Sequence, residues 1–277
     1  MATGGVSVIV RARDEERSLA RCLSLIAGQT GLETPVQLVL VDGGSTDGTR
    51  AVARRYDAVV LEAGGAPYSF GAALNQGAEA ATGETLVALS AHAFPRDQGW
   101  LARLCAAFAD PSVACACGDA YGPDGEFLLG PRRQDEQLAR RRPEWGYSNA
   151  AGAFRASLWR RRRFRDDLPA CEDKDWALHW LERGFACVVD PSLLADHDHT
   201  HDLLPAVYAR ARREARGYAM FMRRPSYGPR ELAGEWWSDL RWYDSALRAR
   251  LSPRRAARLL GGYAGARRPA PRRQSVS

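Results

Sequence analysis

Several clusters of side chains in this chain have types and spacings suited to chemistry. Asp42 closes the apolar run from Val36 to Val41 and precedes Gly43-Gly44-Ser45-Thr46-Asp47-Gly48. Its carboxylate is therefore expected at a sheet edge with little to shield it, able to accept hydrogen bonds from a base N–H or a ribose hydroxyl. A turn in which Asp42 and Ser45 merely cap the next helix is the competing use. Glu172, Asp173 and Asp175 open a segment in which Trp176, Ala177, Trp180 and Leu181 are apolar at helical spacing. The acids gather at the positive end of that helix, where they favour the fold whether or not they also do chemistry. In Asp196-His197-Asp198-His199-Thr200-His201, three of the chain's five histidines alternate. If that stretch is extended, the three imidazoles project to one side, with a solvated polar loop as the alternative. No Ser/His/Asp or Cys/His arrangement suggests a covalent enzyme intermediate.

The elements that must position these groups read as strands alternating with helices. Val6-Ser7-Val8-Ile9-Val10 is a β-branched run, followed by Leu19, Cys22, Leu23 and Ile26 at i, i+3, i+4 and i+7. Gly28 is placed to end that helix. The run Val36 to Val41 leads through Ser45, a candidate N-cap, into a helix carrying Val52, Ala53 and Tyr56. Strands at 58–61 and 86–89, helices around 70–81 and 98–109, and a strand at 113–117 continue the pattern. Near-continuous apolar strands joined by helices predict an α/β fold with a parallel sheet covered on both faces. Ligands of such sheets bind beyond the C-terminal strand ends, where 11–16, 42–47 and 90–95 fall. The second half is less regular, with loops at 121–125 and 145–151 and a helix from near Glu172 to before Gly184.

These motifs resemble the family 2 glycosyltransferases of GT-A fold, a mixed, mainly parallel sheet flanked by helices. Val6 to Glu16 is similar to their first strand and Asn-Glu-Glu-type turn, and Val41 to Thr49 to their Val-Asp-Asp-Gly-Ser-Thr-Asp-Gly-Thr signature. Phe70-Gly71-Ala72-Ala73-Leu74-Asn75-Gln76-Gly77 and Ala81-Thr82-Gly83-Glu84 match in order, and the resemblance runs over about residues 5–220. It implies that Glu15 and Asp42 hold the nucleoside, that Asn75 lies near the ribose and phosphates, and that Asp173 is the general base, with Glu172 an acceptor-side or orienting group. The family's Asp-x-Asp for Mn²⁺ or Mg²⁺ is replaced here by Ser90-Ala91-His92. Imidazole suits Mn²⁺ better than Mg²⁺, so His92, with His197 and His199, is the expected ligand set. The donor implied is a nucleotide-diphospho-sugar, transferred with inversion to a glycan, lipid-linked or small-molecule hydroxyl. The rhamnosyltransferase-like branch is the nearest in pattern, through Glu172 to Trp176 and the His-rich turn ahead of Tyr208, Arg212, Gly217 and Tyr218. A catalytically weak nucleotide-sugar-binding protein on the same fold is the competing function, motivated by Ser90 and His92.

With 277 residues and 45% apolar content, the chain can bury one sizeable core and carry an appended element. The expected division is a catalytic domain over 1–202, a helical extension over 203–265 and a disordered Pro/Arg/Ser-rich tail over 266–277. In 203–277, 17 basic and 5 acidic side chains leave a net +12, so the first 202 residues carry −6 of the overall +6. Lysine occurs once among 39 basic residues, a bias to arginine that weakens any nucleic-acid reading, and none is expected. Trp236, Trp237 and Trp242 with Arg241, Arg248 and Arg250 suit a peripheral membrane contact, with packing on the catalytic domain or in a homodimer as the alternative. Six scattered cysteines without a CxxC pair, no signal peptide and no apolar run of membrane-spanning length predict a cytoplasmic protein.

Overall fold

The computed structural model describes residues 4–63, 68–197, 202–222, 228–238 and 245–267. His199, His201, Arg241, Trp242 and residues 268–277 of the expected tail lie outside them. Contacts divide the chain into two units: 1–166 with 173–198, and 167–172 with 199–277. The short stretch 167–172 thus groups with the C-terminal helices, although the sequence suggested a division at one point. Its reason is steric: a Cβ on Gly217 would lie 2.2 Å from the Ala170 carbonyl oxygen, so only glycine lets the two backbones meet there.

In the first unit, β1 (Val6–Ala12), α1 (Glu16–Ala27), β2 (Val36–Asp42), α2 (Thr49–Arg54), β3 (Val59–Glu62), α3 (Phe70–Ala80) and β4 (Thr85–Ser90) form a βα series. There follow β5 (Phe94–Pro95), α4 (Trp100–Ala106), β6 (Val113–Cys117), β7 (Arg132–Gln134), α5 (Glu136–Arg141), β8 (Ala151–Arg155), α6 (Ala156–Arg161), α7 (Glu172–Leu181), β9 (Ala186–Val189) and β10 (Ala195–Asp196). Eight strands make one sheet in the order β3-β2-β1-β4-β8-β6-β9-β7, and β10 pairs with β5. The first four are mutually parallel. β8 runs antiparallel between β4 and β6, and β7 antiparallel on β9, so the sheet is mixed. α2 begins at Thr49 rather than after Ser45, because Ser45 is engaged elsewhere.

The sheet's apolar runs and the α1 stripe Leu19, Cys22, Leu23 and Ile26 are buried together. Each such side chain contributes about 1.5–3 kcal/mol by leaving water. α3 seats closely on β1 and β2 because a Cβ on Gly77 would come within 2.4 Å of Ile9 Cγ2. All six cysteines are free thiols.

The second unit contains α8 (Leu204–Phe221), α9 (Pro229–Ser238), α10 (Ala246–Leu251) and α11 (Pro253–Ala266). α8 and α11 meet through Gly261 and Gly265, one helical turn apart, whose Cβ positions would lie 2.4 Å from Tyr208 O and 2.1 Å from Arg212 O. Close backbone approach of this kind requires residues without side chains. Among the described residues no helix is long and apolar enough to cross a membrane.

Candidate active site

Parallel pairing aligns the C-terminal ends of three strands, with Ala12 opposite Asp42 and Arg11 opposite Ser90. The turns that follow β1 and β2 are then stitched together by side chains. The N–H groups of Asp14, Glu15 and Glu16, at the start of α1, donate to Ser45 Oγ (2.9 Å), Thr49 Oγ1 (2.9 Å) and Asp47 Oδ2 (3.1 Å). The segment Ser45-Thr46-Asp47-Gly48-Thr49 therefore caps a helix that begins some thirty residues earlier, supplying partners for N–H groups that have none within it.

Asp42 differs from expectation. It is 0% exposed. Its Oδ2 accepts N–H bonds from Ser45 (3.0 Å) and Gly44 (3.3 Å), Oδ1 receives the Ser45 hydroxyl, and Arg50 Nε stands 3.8 Å away. The carboxylate shapes its own turn instead of standing open at the sheet edge. Gly44 makes that turn possible with φ +87°.

Across the strand ends, Glu15 Oε2 lies 2.7 Å from His92 Nδ1. The contact places a proton on Nδ1, since a carboxylate there accepts. Ser90 Oγ is 3.3 Å from the same ring, and the His197 ring stacks on it at 4.8 Å between centroids and 12° between planes. The residues expected to bind metal thus come together in part: His92 and His197 meet, while His199 lies outside the described residues. For Mn²⁺ or Mg²⁺ the position is incomplete among the described residues: Ser90 offers a neutral hydroxyl, His92 has Nε2 left to ligate with Nδ1 held by Glu15, and no three His, Cys, Asp or Glu side chains converge as a cation set.

Asp173 stands at the start of α7, partly exposed. Its Oδ2 accepts the Asn149 N–H at 3.2 Å and its Oδ1 the Lys174 N–H at 2.8 Å. The carbonyl of that same Asn149 accepts from Arg11 Nη2 at 3.1 Å, so one residue links the end of β1 to the carboxylate of Asp173. Nearby, Tyr147 is fully buried, and burial first, then the neighbouring thiol of Cys115 and carboxylate of Asp173, holds its hydroxyl well above the ordinary phenol range. Asp175, also buried, pairs with Arg162 at 2.7 Å and holds that arginine against α7. Glu172 is 5% exposed and groups with the second unit.

Asn75 has a different task from the one expected beside the ribose and phosphates. Its Nδ2 donates to Phe164 O (2.8 Å), and its Oδ1 accepts from Trp159 Nε1 (3.0 Å) and Phe164 N–H (3.0 Å). The amide clamps the chain leaving α6 onto α3. At the same place a Cβ on Gly71 would meet the Arg165 carbonyl oxygen at 2.1 Å.

The family model described as glycosyl transferase family 2 matches residues 7–169, which holds every strand end named above. The chain belongs to that family. A curated relative, glycosyltransferase AglE of Haloferax volcanii, is 32% identical over 102 residues, and the match spans 35% of this family 2 chain and only 33% of the relative. Among solved structures, the mannosyltransferase PcManGT from Pyrobaculum calidifontis, in complex with GDP-Man and Mn²⁺, superposes with TM-score 0.67 at 21% identity, covering 94% of this chain and 84% of that one. Glucosyl-3-phosphoglycerate synthase from Mycobacterium tuberculosis, in complex with Mn²⁺, UDP and glucosyl-3-phosphoglycerate, gives 0.55 at 17% identity over 79% and 78% of the two chains. At such identities the likeness establishes a GT-A-like fold.

One residue of the family 2 turn escaped the sequence reading. Asp14 adopts φ +53° and its Oδ1 accepts the Thr46 N–H at 2.7 Å and the Thr46 hydroxyl at 3.1 Å. The Thr46 backbone bond is the main reason its carboxyl is held below the usual range. Aspartate is among the few residues that tolerate this left-handed conformation, so the Arg-Asp-Glu-Glu turn carried the signal.

Proposed function

We propose that this chain transfers a sugar from a nucleotide-diphospho-sugar to an acceptor hydroxyl with inversion at the anomeric carbon, Asp173 acting as general base. The observation that supports it is the link from Arg11 through Asn149 to Asp173, which fixes a partly exposed carboxylate relative to the strand ends where donors of such sheets bind. In the proposed step Asp173 takes the acceptor hydroxyl proton while the acceptor oxygen bonds to C1. The bond from C1 to the diphosphate oxygen breaks on the opposite face and the leaving group departs with the electron pair. Glu15 and the Asp42 turn hold the nucleoside side of the donor, Asp42 by shaping the backbone and Glu15 by orienting His92. The His92 imidazole faces the developing negative charge. A deoxysugar such as rhamnose is the first donor to try, on the pattern of Glu172 to Trp176 and the His-rich turn.

A cation-assisted reaction with Mn²⁺ or Mg²⁺ is the second reading, favoured by the Glu15 carboxylate on His92 Nδ1, which leaves Nε2 as a ligating nitrogen. Chelation separates the two, because charge neutralisation by side chains survives it. Incubation of the chain with a panel of nucleotide-sugars and hydroxyl acceptors, with products followed by mass spectrometry and anomeric configuration by NMR, tests the proposal. Donor binding without turnover across the panel would favour a nucleotide-sugar-binding role on the same fold.

A further inference from the structure

We propose that the second unit docks on an anionic lipid surface through the outer face of α10 and the adjoining end of α9. In α10, Ala249 is fully buried, whereas Leu247 and Leu251 are 68% and 71% exposed. At about 100° per residue the two leucines lie about 40° apart, and each lies about 160° round the helix from Ala249. The helix is therefore seated by its alanine and presents its two leucines outward. Trp237 of α9, 60% exposed, continues that face, because the Arg250 guanidinium, one turn on from Leu247, lies over its ring at 4.3 Å from the centroid. Trp236, expected from the sequence at the same contact, is used inside the unit instead. Its ring stands 5.5 Å from the guanidinium carbon of the buried Arg255, whose Nη2 donates to the carbonyls of Glu235 (2.7 Å) and Trp236 (3.0 Å). Arg255 thereby ties the end of α9 to α11 and sets the frame in which Trp237 stands out.

Large apolar side chains left side by side in water mark an interaction surface, and the charge around them selects the occupant. Residues 245–267, which hold α10 and α11, contain six arginines and no aspartate or glutamate. A second copy of this chain docked by two-fold symmetry would set that arginine-rich segment against itself, and like charges facing across an interface are costly. A zwitterionic bilayer would accept the leucines and the tryptophan but gain little from the arginines. An anionic bilayer takes both. The leucines enter the boundary between headgroups and acyl chains, the tryptophan sits at headgroup level, and the long arginine side chains reach the negative headgroups. Among the described residues no helix is long and apolar enough to cross a membrane, so the contact is with the surface. This docking goes beyond the proposed sugar transfer and does not depend on it.

Flotation of the full chain with phosphatidylcholine vesicles, with and without about 30 mol % phosphatidylglycerol, tests the proposal. Retention is expected with the anionic lipid and should fall as salt rises, since the attraction is screened. A basic chain can adhere to anionic vesicles through charge alone, so the deciding variant leaves the charge unchanged. Leu247→Ser with Leu251→Ser alters side chains already in water, and should keep Tm while weakening partitioning at least about tenfold. Trp237→Ala supplies the same comparison from α9 should the double variant fail to fold. The proposal is overturned if wild type is not retained by the phosphatidylglycerol vesicles, or if the folded variant is retained as well as wild type. Light scattering on the same proteins covers the other occupant. A wild-type dimer that the leucine variant reduces to a monomer, without vesicle retention, would make this face a self-interface and overturn the lipid contact.

Discussion

Glu15 Oε2 and His92 Nδ1 are 2.7 Å apart, joining the turn after β1 to the turn after β4. A carboxylate that holds the proton on Nδ1 fixes the orientation of the ring. Glu15→Gln and His92→Ala are each expected to lower kcat about 10- to 100-fold, because charge-assisted hydrogen bonds of this type are worth about 1.5–3 kcal/mol. The double variant should lose little more than either single one, as for residues acting as a unit. Additive losses in steady-state kinetics would show that the pair does not work together.

Asn75 ties α3 to the chain after α6 through Trp159 and Phe164. Asn75→Ala should therefore lower stability by about 2–3 kcal/mol in urea unfolding. KM for the donor should change by less than about threefold, the size of a small indirect effect. A large rise in KM with unchanged stability would restore the donor contact read from the motif.

The first half of the fold was legible because β1, β2 and β4 are near-continuous apolar runs whose burial follows from their composition, and the α1 stripe is periodic. β8 was not: Ala-Gly-Ala-Phe-Arg has little intrinsic strand preference, and Gly152 is required by context, with a Cβ there meeting Ser148 O at 2.5 Å. Asp42 was read as an open carboxylate at the sheet edge, but it is buried through the Ser45 hydroxyl and N–H groups folding back two and three residues on. The Asn75 clamp joins residues 89 positions apart, a distance that no local pattern encodes. The role proposed for Asp173 came from the resemblance of Glu172-Asp173 to the family's Glu-Asp pair, whereas its tie to Arg11 through Asn149 is visible only in three dimensions.

Ser90 and His92 set an expectation for cations. Chelation with EDTA should leave wild-type turnover within about twofold, since Ser90 puts a neutral hydroxyl where a Mn²⁺ or Mg²⁺ set favours an acid. Ser90→Asp, which restores an acid beside His92, should make turnover responsive to added Mn²⁺. Loss of wild-type activity in EDTA, restored by Mn²⁺, would establish the cation-assisted reading.

Burial, with the charges of Arg162, Arg183 and Arg161 after it, lowers the His179 pKa from 6.5 to about 4. Between those values the unfolded chain binds the proton and the folded chain does not, so stability is lost as pH falls from about 6.5 to about 4. His179→Gln should flatten that part of a Tm against pH profile. An unchanged slope would assign it to other groups.

Asp173 is proposed to remove the acceptor proton. Asp173→Asn keeps an acceptor for the Asn149 N–H but cannot take a proton at neutral pH. Once a productive nucleotide-sugar and acceptor are in hand, donor affinity by calorimetry and single-turnover transfer should be measured on wild type and Asp173→Asn together. Donor Kd is expected to stay within about twofold and the transfer rate to fall about 10²- to 10⁴-fold. Transfer by Asp173→Asn at a rate near that of wild type would contradict it.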